Sequence, residues 1–214
     1  MVIQMFNQYL DEFLIVSAAH FLALLSPGPD FVLIVRSSLL FKFRIASGVC
    51  LGVSLANAFY IALCLISIQS ISKVAGLYDV IKYLGAAYLV FLGFRLLSSK
   101  SSGFIIGHGS IISHKSSTFF RELTSGFMAS LLNPKISLFY LSLFTLVIDE
   151  TTPMAIQASY GVWMFFIVLL WDLMLTRFIG SRSIRVFFEH FISRVEKVCG
   201  IFLVALGLNL ALGH

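Results

Sequence analysis

The sequence predicts an all-α integral membrane protein with six transmembrane helices, arranged as two inverted three-helix repeats in which helices 1 and 4 are broken at proline. Of its 214 residues, 59% are hydrophobic and 12% are charged, whereas a soluble domain carries about 25% charged residues. The apolar residues form stretches about 20 residues long, the length of helix that crosses a bilayer core of about 30 Å. The second half of the chain also weakly repeats the first.

Six apolar stretches are bounded by charged, proline, glycine and serine residues. Each stretch is continuous, as expected for a helix surrounded by lipid and other helices. They cover approximately residues 13–35, 45–67, 74–97, 123–148, 157–179 and 197–212. The composition therefore makes the lipid bilayer a partner of this chain.

Basic residues are concentrated in the connections on one side of the predicted spans. The segments 36–44, 95–121 and 177–197 contain 12 of the 15 Lys and Arg residues. Because positive connections remain in the cytoplasm, we expect a multi-pass protein of the bacterial cytoplasmic (inner) membrane with both termini outside. This partition explains the net charge of +5 without a nucleic-acid partner.

The two halves of the chain align at an offset of 115 residues. "KYLGAAYLVFLGFRLL" (82–97) resembles "KVCGIFLVALGLNLAL" (197–212), and the same offset carries Asn57 onto Asp172. Halves of three spans each have opposite orientations because three is odd, and such inverted repeats are typical of secondary transporters. Chance similarity between leucine- and glycine-rich helices is the alternative.

The repeat divides the chain into three parts. Residues 1–97 form the first three-helix repeat, and residues 121–214 form the second. Residues 98–120 are rich in serine and glycine, a composition typical of a flexible linker. The charge pattern places this linker in the cytoplasm.

Prolines interrupt the first and fourth spans, in "LSPGPDF" (25–31) and "LNPKISLF" (132–139). A proline inside a helix costs about 3 kcal/mol, and in lipid the freed backbone groups must be satisfied by protein or a water-filled cavity. Asn133 before Pro134 predicts a helix start, as does Ser26 before Pro27. Each new N-terminus favours an anion such as a carboxylate. The alternative is that Pro27, Pro29 and Pro134 only kink helices for packing.

Charged residues inside the predicted spans are the next candidates for the pathway, and we consider Asp30, Lys135 and Asp172. An acid at the bilayer centre costs about 2.5–3.5 kcal/mol, so Asp30 and Asp172 are candidates for recognising an amine or carrying a proton. Asp30 could instead only stabilise a helix dipole. Lys135 follows Pro134 at the start of the other half-helix, where a cation opposes the helix dipole. It is therefore expected to pair with Asp30 or an anionic substrate, or else to snorkel to the interface. Asn57 either lines the pathway or bonds another helix.

The remaining small residues are assigned to packing. Gly48 and Gly52 form a G-x-x-x-G pattern, which favours a close contact between helices. Cys50, Cys64 and Cys199 are isolated, so neither a disulfide framework nor a metal site is expected. The chain carries no H-E-x-x-H or G-x-S-x-G motif, and we expect neither a cofactor nor an enzymatic activity.

Three stretches resemble the helix signatures of the LysE/RhtB family of amino-acid exporters. They are "SPGPDFVLIVRSSL" (26–39) for the first helix, "KYLGAAYLVFLGFRLL" for the third and "GFMASLLNPKISLFYLSLF" (126–144) for the fourth. The resemblance covers almost the whole chain in the same order. It implies six helices and export of amino acids or related small metabolites from the cytoplasm, coupled to an ion gradient, with proton influx as the expected coupling. It also implies that the pathway includes Pro27, Gly28, Pro29, Asp30, Asn133, Pro134 and Lys135.

The predicted substrate and ion pathway consists of the seven residues that the resemblance implies, together with Ser26, Asn57 and Asp172. The alternative function is a non-exporting membrane scaffold or a channel for another small solute. A channel requires polar rings through several spans, whereas the polar residues here are concentrated at the breaks. The sequence leaves open which amino acid fits, whether H⁺ or Na⁺ is the coupling ion, and whether the protein is a homodimer. It also leaves open whether Asp172 lies in the pathway or at the membrane interface.

Overall fold

The computed structural model describes residues 2–26, 28–71, 77–98, 116–149, 151–179 and 182–212. This part of the chain is helical and contains no strand, as predicted. Residues 99–115 of the expected linker lie outside the described residues. The helices are α1 (Val2–Leu25), α2 (Pro29–Leu40), α3 (Phe43–Ile71), α4 (Leu77–Leu97), α5 (Phe119–Leu131), α6 (Pro134–Leu146), α7 (Met154–Phe178) and α8 (Arg182–Leu212).

Three of the described helices are long and apolar enough to cross a membrane alone. These segments are Gln8–Leu25 of α1, Phe43–Ser67 of α3 and Met154–Phe178 of α7. The bent pair α5–α6 gives a fourth span if it is counted as one. Helices α4 and α8 contribute shorter apolar segments, Tyr83–Leu97 and Lys197–Asn209. The arrangement as six spans in two inverted repeats therefore stays a prediction.

Both predicted proline breaks are present, but the first lies at the end of a membrane-spanning segment and not in its middle. Helices α5 and α6 are bent by 60° at the second break. At the first break, α1 already supplies a full-length apolar segment, so the break follows a span instead of interrupting one. The helix extends back past Glu12, which is buried and whose Oε2 accepts a hydrogen bond from Thr152 Oγ1 at 2.8 Å.

Helices α3 and α5 pack at backbone contact distance because glycines of each helix lie against the backbone of the other. A Cβ atom built on Gly52 would lie 2.1 Å from the Leu123 carbonyl oxygen, and one built on Gly126 would lie 2.4 Å from the Val49 carbonyl oxygen. Gly48 meets the same helix, where its Cβ would lie 2.3 Å from a backbone oxygen. The close contact predicted from the G-x-x-x-G spacing is confirmed.

The helices that the internal repeat equates also pack against each other, α3 against α7 and α4 against α8. In the second pair, a Cβ atom on Gly200 would lie 2.8 Å from the Gly93 carbonyl oxygen. A two-fold axis relating the halves would bring equivalent helices together in this way. The packing supports the inverted repeat without establishing it.

Buried apolar side chains form two clusters. The larger joins α1, α3, α4, α6, α7 and α8 around Leu89, Leu143 and Leu203, and the smaller joins α2, α3 and α7 around Ile34 and Val168. Large apolar side chains also cover the outer faces of the helices; Ile66, Leu84 and Leu170 are examples. Apolar surface on this scale suits lipid and would be a liability in water.

Candidate functional site

The helix that follows the second break begins with a side-chain cap. Asn133 Oδ1 accepts a hydrogen bond from the Lys135 backbone N–H at 3.1 Å, and Pro134 occupies the first helical position. Proline fits there because its missing N–H has no partner in a helix start. The sequence prediction for this helix start is confirmed.

The helix that follows the first break begins two residues later than predicted. Its cap position is Gly28, with extended backbone (φ −134°, ψ −172°) and no side-chain cap, and Pro29 is its first residue. The expected cap pair of Ser26 and Pro27 is therefore wrong. A residue before a proline is held out of the helical region, so Gly28 cannot belong to the helix. Pro27 itself lies outside the described residues.

The two breaks meet at a cavity of about 80 Å³, which has room for several water molecules or one small solute. Seven predicted pathway residues line it: Ser26, Gly28, Asp30, Asn57, Asn133, Lys135 and Asp172. Pro29 and Pro134 are exposed and do not line it. Other lining residues are His20, Ala23, Leu24, Phe31, Ile34, Val53, Ile136, Phe139, Tyr140, Val168 and Trp171.

Asp30, in the first turn of α2, links the two breaks through hydrogen bonds. Ser130 Oγ donates to its Oδ2 at 3.1 Å, and Asn133 Nδ2 donates to its Oδ1 at 3.3 Å. Both donors belong to the opposite break, about the end of α5 and the start of α6. The carboxylate therefore has a protein partner on each oxygen and joins the two halves of the chain.

Lys135 reaches across the cavity to the end of α1. Its Nζ donates to the Ser26 carbonyl oxygen at 2.9 Å and to the Ala23 carbonyl oxygen at 3.4 Å. The last carbonyls of a helix lack partners within the helix and carry partial negative charge, so the ammonium group caps α1. Lys135 and Asp30 also attract each other electrostatically.

A hydrogen-bonded chain of buried polar side chains runs from Asp30 to His20. Ser130 Oγ, which donates to Asp30, lies 3.5 Å from Asn57 Nδ2, and Asn57 Oδ1 accepts from the Tyr140 hydroxyl at 2.9 Å. The Tyr140 hydroxyl oxygen in turn lies 3.1 Å from His20 Nε2. Because the one Tyr140 proton is donated to Asn57, we assign the Nε2–H tautomer to His20, whose Nε2 then donates to Tyr140.

Two buried acceptor atoms belong to residues that line this cavity and accept no hydrogen bond from the described residues. They are His20 Nδ1 and Asp172 Oδ2, and both side chains are only 3% exposed. Asp172 also lies close enough to Asp30 for the two charges to repel each other. Buried polar atoms are almost always paired, so these two acceptors mark where a donor belongs.

Sequence reasoning missed His20 and Tyr140 as site residues. His20 could have been found, because an ionisable residue inside an apolar span is a functional candidate by default. Tyr140 carried no such signal, since an aromatic residue in an apolar helix is ordinary. Within the described ranges, no group of three or more His, Cys, Asp or Glu side chains could hold a metal ion.

Comparisons with known proteins agree on one family. A family model described as LysE type translocator matches residues 21–214. The threonine efflux protein of Escherichia coli (strain K12) is 23% identical over 207 residues, which are 94% of this chain and 98% of that protein. The leucine efflux protein of Salmonella choleraesuis (strain SC-B67) is 28% identical over 152 residues, 70% of this chain and 69% of that protein.

Other relatives carry less information about activity. An uncharacterized membrane protein of Haemophilus influenzae is 29% identical over 136 residues, which are 63% of this chain and 65% of that protein. No solved structure gives a significant match to the chain.

Proposed function

The chain belongs to the LysE type translocator family, and from that premise we propose that it exports amino acids or closely related small metabolites from the cytoplasm. The names of the threonine and leucine efflux proteins support this substrate class. The observation that carries the proposal is the cavity at the two proline breaks, where acidic and basic side chains line one small space.

A zwitterion would find complementary charge on both sides of this cavity. Lys135 and the N-terminus of α2 carry positive charge and would attract a carboxylate. Asp172 would attract the amino group. The aromatic and aliphatic lining residues would exclude water and leave these groups to fix the orientation of the solute.

We propose that export is coupled to proton influx. Charge is costly away from water, so a buried carboxyl group such as Asp172 or Asp30 is a suitable proton carrier that alternates with the substrate. One proton crossing 100 mV supplies about 2.3 kcal/mol, which supports a substrate gradient of about fortyfold because 1.4 kcal/mol is tenfold. Rocking of one three-helix repeat against the other would expose the cavity to each side in turn.

We propose the orientation that the charges favour, with the basic connections in the cytoplasm and both termini outside. The connection between α6 and α7, which contains the exposed Asp149, then also faces outwards. Hydrogen bonds from the Thr151 side chain and backbone hold the pKa of the Asp149 carboxyl below its usual value, so this acid stays charged at neutral pH.

The test is efflux from proteoliposomes loaded with a panel of labelled amino acids that includes threonine and leucine. We expect efflux that an imposed pH gradient accelerates and an uncoupler abolishes. Asp30→Asn should reduce efflux at least tenfold, because it disturbs the charge balance of the cavity, whereas the matched control Asp149→Asn should not. A wild-type protein that exports nothing from the panel would refute the assignment and favour a scaffold or a channel for another solute.

A further inference from the structure

The two unpartnered acceptors in the cavity come from different helices. His20 belongs to α1 and Asp172 to α7, and both residues line the same cavity. Each is buried, and His20 Nδ1 and Asp172 Oδ2 receive no hydrogen bond from any described residue. An empty acceptor in a buried site loses its hydration without replacement, so a bound group is the natural completion.

The hydrogen-bond directions fix what kind of group this is. His20 Nε2 donates to Tyr140, because the Tyr140 proton is used on Asn57, which leaves Nδ1 with a lone pair. The second atom is a carboxylate oxygen, also an acceptor. A single group that satisfies both acceptors therefore donates at least two hydrogen bonds.

The charges around the two acceptors indicate which charge the bound group carries. Asp30 already accepts from Ser130 and Asn133 and is attracted by Lys135. Asp172 Oδ2 has no donor among the described residues, and Asp172 is repelled by Asp30. A positively charged donor would satisfy both the charge and the hydrogen-bonding need, and aromatic lining residues such as Trp171 add to the attraction for a cation.

We propose that His20 and Asp172 form a subsite for the primary ammonium group of the substrate, opposite Lys135, which faces its carboxylate. This inference rests on the proposed export of amino acids and makes it more specific. The cavity then selects solutes that carry both a free primary ammonium group and a carboxylate. Asp30, which the sequence offered as an amine receptor, serves instead as a brace between the two breaks.

The test compares solutes that differ only in the ammonium group. The probes are L-leucine with 2-hydroxy-4-methylpentanoate, and L-threonine with 2,3-dihydroxybutyrate, each pair assayed for transport and for competition in the same proteoliposomes. We expect wild type to prefer the amino acid at least tenfold. Asp172→Asn should reduce that preference to less than threefold through loss of amino-acid transport.

A second variant separates the subsite from folding. His20→Gln keeps a group near the position of Nε2 for the contact with Tyr140 but removes the acceptor at Nδ1, so it should lose the preference while remaining folded. His20→Asn places an amide near Nδ1 and should retain more of the preference than His20→Gln. Thermal stability of each purified variant, with Asp149→Asn as control, reports on folding.

The outcomes distinguish the subsite from the export function. If wild type transports amino acids and both Asp172→Asn and His20→Gln keep the full preference, the subsite is refuted and export stands. If wild type transports amino and hydroxy acids equally, the subsite is also refuted. If wild type transports neither, the export proposal fails and the subsite fails with it.

Discussion

Asp30 and Asp172 show how the surroundings of a residue decide its task. Both are acids in apolar helices, and the sequence offers both as candidates for recognising an amine or carrying a proton. The structure gives Asp30 a donor on each oxygen, whereas Asp172 Oδ2 accepts no hydrogen bond from the described residues. Sequence reasoning could locate both acids but could not assign their surroundings, because the donors to Asp30 lie about 100 residues away in the chain.

Lys135 provides the first prediction at this scale. Lys135→Met removes the donor to the Ser26 and Ala23 carbonyl oxygens at the end of α1. Hydrogen bonds from a charged group contribute about 1.5–3 kcal/mol each, so thermal unfolding in detergent should show a clear loss of stability. Efflux should fall at least tenfold, because the positive charge that faces the substrate carboxylate is lost.

Lys42 offers the matched control, since it is an exposed lysine at the start of α3. Lys42→Met should change neither the unfolding temperature nor the efflux rate. If Lys135→Met behaved like Lys42→Met in both measurements, the contact between Lys135 and the end of α1 would contribute neither to stability nor to efflux.

At the scale of helices, the two breaks differ in how well local sequence predicts them. Asn133 and Pro134 together fix the start of α6. The cap and the first-position proline are adjacent in the chain, so local sequence is enough to predict this start. The start of α2 is harder to predict because the chain offers two possible starts, Ser26 followed by Pro27 and Gly28 followed by Pro29. The restriction on the residue before a proline excludes Gly28 from the helix and decides the outcome.

Helix packing provides the second prediction. In Gly52→Val a Cβ would lie 2.1 Å from the Leu123 carbonyl oxygen, a backbone atom that cannot move aside. Overpacking costs about 1–3 kcal/mol or more, so α3 and α5 should separate and the unfolding temperature should fall. Size-exclusion profiles and thermal unfolding of the purified protein measure both effects.

Ala62→Val is the control for that experiment, because Ala62 lies on the exposed side of the same helix. This substitution also introduces a valine into α3, but there the added side chain meets lipid or detergent. A protein that tolerates Gly52→Val as well as Ala62→Val would show that the α3–α5 contact is looser than the structure has it.

At the scale of the whole molecule, the candidate cavity is assembled from segments that are far apart in sequence. His20 and Tyr140 are 120 residues apart and form a direct contact, and Asp30 reaches 103 residues along the chain to Asn133. Composition, proline breaks, polar and charged residues within the spans, and the family resemblance together pointed to the helical membrane class and to seven of the lining residues. The network itself was beyond prediction because hydrogen-bond partners depend on tertiary packing.

The central claim is that the transported solute occupies the cavity at the two breaks. Ile136 lines that cavity, so an Ile136→Cys variant can report on it once Cys50, Cys64 and Cys199 are replaced by alanine. The measurement is the rate at which a small methanethiosulfonate reagent modifies this variant in proteoliposomes, with and without the amino acid it transports. Ser159→Cys, at an exposed position on α7, is the control.

The account predicts that the transported amino acid slows modification of Ile136→Cys at least threefold and leaves Ser159→Cys unchanged. An Ile136→Cys variant that transports the amino acid but is modified at the same rate with and without it would contradict the account, because the solute would then cross the membrane by another route.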